Sequence, residues 1–129
     1  MNLQLSCSRG EGLHFGELRP GKIIIVAGGT GIYPFCDLID LLFKTLLLST
    51  RPELTNMILE NDPILRSNPF NNYIFSIYLA VANLDDIHPI TLAQLNELSK
   101  HPNFLRLMLK ISNKKEMHSV LNQNVLFTS

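Results

Sequence analysis

Apolar and polar positions follow two different patterns along this chain. Residues 22–27 hold an unbroken branched run, Ile23, Ile24, Ile25 and Val26. A strand without polar alternation is expected to be covered on both faces, as in a parallel sheet. Residues 73–83 (YIFSIYLAVAN) give a second strand, rich in aromatic and branched residues. In residues 104–112, Leu105, Leu107, Leu109 and Ile111 alternate with Phe104, Arg106, Met108 and Lys110. Two cations on one face place this third strand at a partly solvated sheet edge.

Helical patterns separate the strands. Residues 34–49 carry apolar side chains almost all round, which predicts a well-buried helix, and Pro34 suits its first turn. Leu92, Leu95 and Leu98 give residues 92–100 one apolar stripe, with Thr91 as the expected N-cap and His101-Pro102-Asn103 as the stop. Residues 51–72 are the least regular. A short helix fits 52–60, and Asp62-Pro63 and Asn68-Pro69 punctuate a loop. That link is longer than a compact strand–helix–strand unit needs, so it reads as an insertion. Residues 115–122 form a weak helix, and 125–128 read as the start of a short fourth strand.

The expected fold is therefore α/β: a partial Rossmann-like parallel sheet in the order 3-2-1, with helices on both faces. That order leaves one side of strand 1 open, and a bare branched edge invites aggregation. Three solutions are expected: residues 125–128 pair there, a partner chain does, or the sequence is a fragment.

Composition narrows the function. The chain has 129 residues, 46% of them hydrophobic, enough for one domain with a core. Eleven Lys and Arg balance eleven Asp and Glu, so net charge gives no case for nucleic acid. Two cysteines, Cys7 and Cys36, are too few for a disulfide framework, and residues 1–9 lack a signal-peptide core. An intracellular, cytoplasmic protein is expected. The longest apolar run, near 35–48, is broken by Asp37, Asp40 and Lys44 and falls short of the roughly 20 residues of a membrane span.

The candidate chemistry lies in AGGTGIYP, between strand 1 and its helix. Glycines allow a tight turn and close approach of a ligand, and the first N–H groups of the helix with its dipole favour an anion. Phosphate or pyrophosphate is the natural occupant; a tight turn without a ligand is the alternative. Gly29 and Gly31 match the first two glycines of G-x-G-x-x-G, but Pro34 takes the third position, and the P-loop lysine pattern is missing.

With Thr30, Ile32 and Pro34 all in place, IIIVAGGTGIYPF resembles the nicotinamide-binding domain of the ferredoxin–NADP reductase-like flavoenzymes. That group includes cytochrome b5 reductase and the flavin domain of nitrate reductase. The resemblance extends from residue 10 to 116, through IYLAVANLDDI, LNELSKHPNF and LRLMLKISNKKE, and residues 1–21 resemble the end of a flavin domain and its linker. Residues 22–129 would then be an incomplete NAD(P)-binding domain. The resemblance implies that Gly28, Gly29, Thr30, Gly31, Ile32 and Pro34 bind NAD(P)H, and that Ser112, Asn113, Lys114 and Lys115 lie where such enzymes choose between NADH and NADPH. It also implies FAD held mainly by a flavin-binding domain or subunit, with hydride passing to the flavin and electrons to a haem or iron–sulfur acceptor.

Two family motifs are missing from these residues: the R-x-Y-[ST] string of the flavin barrel and the C-G-P string after strand 4. No catalytic residue is assigned. The expectation is a nucleotide-binding part of a flavoprotein oxidoreductase that needs a partner for activity, with a non-catalytic interaction subunit or fragment as the alternative. Cys36 reads as a small buried hydrophobe. His14, His88, His101 and His118 lack metal-ligand spacing, and Asp85-Asp86 reads as the polar exit of strand 2 rather than a catalytic pair.

Overall fold

A computed structural model of the chain describes residues 20–112 and 124–127. Four parallel strands form one sheet in the order β1-β2-β3-β4: β1 is Gly21–Gly28, β2 Tyr73–Val81, β3 Leu105–Ile111 and β4 Leu126–Phe127. The helices are α1 (Cys36–Thr50), α2 (Thr55–Asn61) and α3 (Pro89–Ser99). The α/β class and the neighbour order of the first three strands are those expected from the patterning.

The helical layer differs. Among the described residues it covers one face of the sheet only. Ile25 and Ala27, then Phe75, Ile77 and Leu79, then Leu105, Leu107 and Leu109 are buried on that face. On the other, Ile24 is 57% and Val26 75% exposed. The cause is topological. The chain steps from β1 to β2 to β3 in one direction, and right-handed crossovers in one direction place successive helices on the same side. A branched run alone does not reveal the direction of stepping.

Two further expectations change. Leu126 and Phe127 pair with Met108 and Leu109 of β3, not with β1. The edge strands among the described residues are therefore β1 and the two-residue β4, while β3 has a neighbour on both sides. The cations of β3 are exposed because their face is uncovered.

Helix α1 begins later than expected. A 3-10 segment, Gly29–Phe35, carries the chain out of β1 and contains Pro34. Ile39 and Leu42 of α1 are fully buried, and Leu38, Leu41, Phe43, Leu46, Leu47 and Leu48 are partly buried against the core. Helix α3 starts at Pro89, whose missing N–H costs nothing at that position. Its N-cap is His88, whose Nδ1 accepts from the Ile90 N–H at 3.2 Å. Thr91 is not the cap; it is buried, and its hydroxyl donates toward Cys36 Sγ at 3.7 Å.

The irregular link from 51 to 72 packs as a flap beside α1. It contains two 3-10 turns, Pro52–Leu54 and Pro63–Ser67, on either side of α2. Ile58, Leu65 and Phe70 bury themselves in the core. Lys44 of α1 donates to Asp62 at 2.6 Å and pairs with Asp40 at 2.9 Å. These bonds raise the Lys44 pKa, Asp62 contributing most. Asn68 ends the second turn in the left-handed region, at φ 50°. No helix among the described residues is long and apolar enough to cross a membrane.

Candidate functional site

Strand β1 delivers its last residue, Gly28, to the carboxyl edge of the sheet, beside Ala80 of β2. In open parallel sheets ligands bind outside that edge where the strand order reverses, and among the described strands the order does not reverse. Gly28 through Gly31 are all exposed. Gly29 has φ +54°, the left-handed conformation that costs a side-chain-bearing residue about 1–2 kcal/mol. A Cβ built there would meet nothing within 4 Å, so glycine is required at this position by backbone conformation and not by crowding. The turn therefore leaves open space at the sheet edge.

The 3-10 segment that follows has Gly28 as its N-cap, and no side chain caps it. Thr30 is exposed, and its hydroxyl has no hydrogen-bonding partner among the described residues. Its hydroxyl is free to meet a ligand. Ile32 is different: it is 1% exposed and its side chain is part of the core. It anchors the turn from below and can offer a ligand only its backbone. Pro34 is exposed inside the 3-10 segment, beside the exposed Tyr33. Helix α1 begins at Cys36, five residues beyond Gly31, so the N–H groups nearest the glycines belong to the 3-10 segment rather than to an α-helical N-terminus.

Ser112 lies at the same edge, where its N–H donates to Val81 O at 3.0 Å and extends the β2–β3 ladder. Two strand spacings, about 10 Å, separate β1 from β3. The edge thus presents Gly28–Gly31 at one end and Ser112 at the other, with Ala80 between them. Ala80 escaped the sequence reading; the signal was a small residue at the end of an otherwise bulky strand. Lys114 and its neighbours Asn113 and Lys115 lie outside the described residues, as do Cys7, His14 and His118.

Carboxylates at this edge have structural roles. Asp86 Oδ2 accepts from the Asn83 N–H at 3.1 Å, and Asn83 and Asp86 cap each other's turn. Asp37 and Asp85 are exposed. An anion bound at the turn would rely on backbone N–H groups rather than on a described cation beside the glycines. Cys36 is half-buried between α1 and α3, with its thiol toward Ile32 O at 3.7 Å. Among the described residues no three His, Cys, Asp or Glu side chains gather to hold a metal.

Cavities of about 510 and 470 Å³ lie at the opposite end of the sheet. They share Thr45, Ser49 and Phe104, which belong to the last turns of α1 and the entry to β3. Neither touches the glycine turn. Comparison of the chain with protein-family models, curated proteins and solved structures found no match.

Proposed function

We propose that the chain is the nicotinamide-nucleotide-binding part of a flavoprotein oxidoreductase. It would hold NAD(P)H at the carboxyl edge of β1 for hydride transfer to an FAD carried by another domain or subunit. The observation that carries this proposal is the exposed left-handed Gly29 at the end of a parallel strand, where an added Cβ would meet nothing within 4 Å. The string GGTGIYP and its resemblance to the ferredoxin–NADP reductase-like flavoenzymes direct the choice to a nicotinamide nucleotide.

In this assignment the N–H groups of Gly29, Thr30 and Gly31 meet the pyrophosphate, the Thr30 hydroxyl adds a donor, and Pro34 holds the backbone of the segment. Ile32 fixes the turn to the core. Ser112 would border the far end of the nucleotide, with Lys114 two residues further along the sequence. The flavin would accept the hydride and pass electrons on to a haem or iron–sulfur acceptor; this chain's own residues bind and orient the donor.

Titration with NADH and NADPH, followed by calorimetry, tests the proposal. Saturable binding that is lost in Gly31→Val, a variant expected to remain folded, supports it. A folded chain that binds neither nucleotide at millimolar concentration overturns it.

A further inference from the structure

The uncovered face of the sheet has a composition of its own. Strand alternation and register assign its positions. Val26, Tyr78, Met108 and Leu126 are successive partners across β1, β2, β3 and β4, so one apolar row crosses all four strands. Ile24 and Ile74 extend it, at 57% and 46% exposure. A shallow groove of about 180 Å³ runs over Val26, Tyr78, Ala80, Met108 and Lys110. The strands also carry Lys22, Arg106 and Lys110 on this face and no carboxylate at any position. All three cations are exposed, and none pairs with a carboxylate among the described residues. All described carboxylates lie on the helices and connections.

We infer that this face is the docking surface for an acidic amphipathic helix of a partner protein. Parallel sheets are covered by helices on both faces, because a half-covered one leaves apolar strand residues in water. The charges select the helix. Its apolar stripe would lie over Val26, Tyr78 and Met108, and its flanking Glu or Asp residues would meet Lys22, Arg106 and Lys110. A second copy of this face would bring like charges together. The chain's remaining segments carry no acidic excess: residues 1–19 have Arg9 and Arg19 against Glu11 and Glu17, and residues 113–123 have Lys114 and Lys115 against Glu116. The inference does not depend on nucleotide binding, which uses the edge of the sheet.

Two synthetic helices of about 18 residues, long enough to span the strands, test it. Both carry the same leucine stripe with a single Trp; one has Glu flanks and the other Lys flanks. The chain has no Trp, so peptide emission reports burial directly. The Glu helix is expected to bind with a blue shift that weakens with salt, and the Lys helix to bind at least about tenfold more weakly. The triple variant Lys22→Glu, Arg106→Glu, Lys110→Glu should reverse that order, and Val26→Asp should abolish binding of the Glu helix. All four substitutions are at exposed positions, and unchanged circular dichroism melts confirm their folding. Equal binding of both helices, or binding of neither, overturns the inference. So does a dimer in sedimentation that Val26→Asp dissociates, which would make the occupant a second copy. Tighter binding to phosphatidylserine vesicles than to the Glu helix would make it a membrane surface and overturn it too.

Discussion

The two ends of the sheet are built on opposite plans. At the amino end, Phe75 is wholly buried and makes edge-to-face contacts with Phe70 at 6.0 Å, Tyr73 at 6.3 Å and Phe104 at 6.0 Å. The flap from 51 to 72 is tied to α1 beside it through Lys44 and Asp62. At the carboxyl end the chain leaves β1 through four exposed residues with almost nothing packed on them. One end buries an aromatic cluster beside two cavities, and the other exposes backbone. If the proposed nucleotide binding holds, stability and ligand recognition fall at different ends, and substitutions should separate them.

The largest effect belongs to the amino end. Phe75→Ala removes the centre of the aromatic cluster and should cost about 3–5 kcal/mol, read as a lowered denaturation midpoint. Gly29→Ala comes next, because alanine must adopt the left-handed conformation; it should cost about 1–2 kcal/mol in the same measurement. A cost below about 0.3 kcal/mol would mean that the turn relaxes to another backbone conformation.

Lys44→Met should cost about 1 kcal/mol at neutral pH, since Lys44 is about 29% exposed and its ion pairs are partly screened. The pH dependence has a definite sign. The folded pKa of Lys44 lies above its ordinary value of 10.5. The contribution is thus complete below pH 10.5 and fades as pH rises through the raised value. The difference in stability between wild type and Lys44→Met should shrink above that pH. A difference that stays constant would show that Lys44 acts through packing of its aliphatic stem.

Much of this division was legible in the sequence. The branched run 23–26, the aromatic strand from Tyr73 and the alternation of β3 identified three strands and their order, because period-2 and continuous apolar patterns follow directly from strand geometry. Side and cover were not legible. Ile24 and Val26 look identical to Ile23 and Ile25 in composition, and only the direction of the crossovers exposes them. Arg106 and Lys110 signalled solvent correctly, but an edge and an uncovered face give the same alternation. The flap was illegible for another reason: short 3-10 turns after Pro52 and Pro63 have no hydrophobic period, and its buried contacts come singly, from Ile58, Leu65 and Phe70. At the candidate site the glycines were conspicuous, yet nothing in the string distinguished Gly29, constrained by φ, from Gly28 and Gly31, which are not.

That distinction gives the smallest effect on stability and the sharpest separation of the two ends. Gly31 has no positive φ, and its added Cβ would come no closer than 3.9 Å to the Ala27 Cβ. Gly31→Ala should therefore change stability by less than about 1 kcal/mol, and toward stabilisation, because alanine narrows the unfolded ensemble at a compatible backbone position. If the exposed turn cradles a pyrophosphate, the same methyl group intrudes on the ligand, and NADH or NADPH affinity should fall by about tenfold or more while the denaturation midpoint holds or rises. Stability and affinity falling together would instead show that Gly31 supports the fold of the turn. In that case its proximity to the ligand could no longer explain the effect.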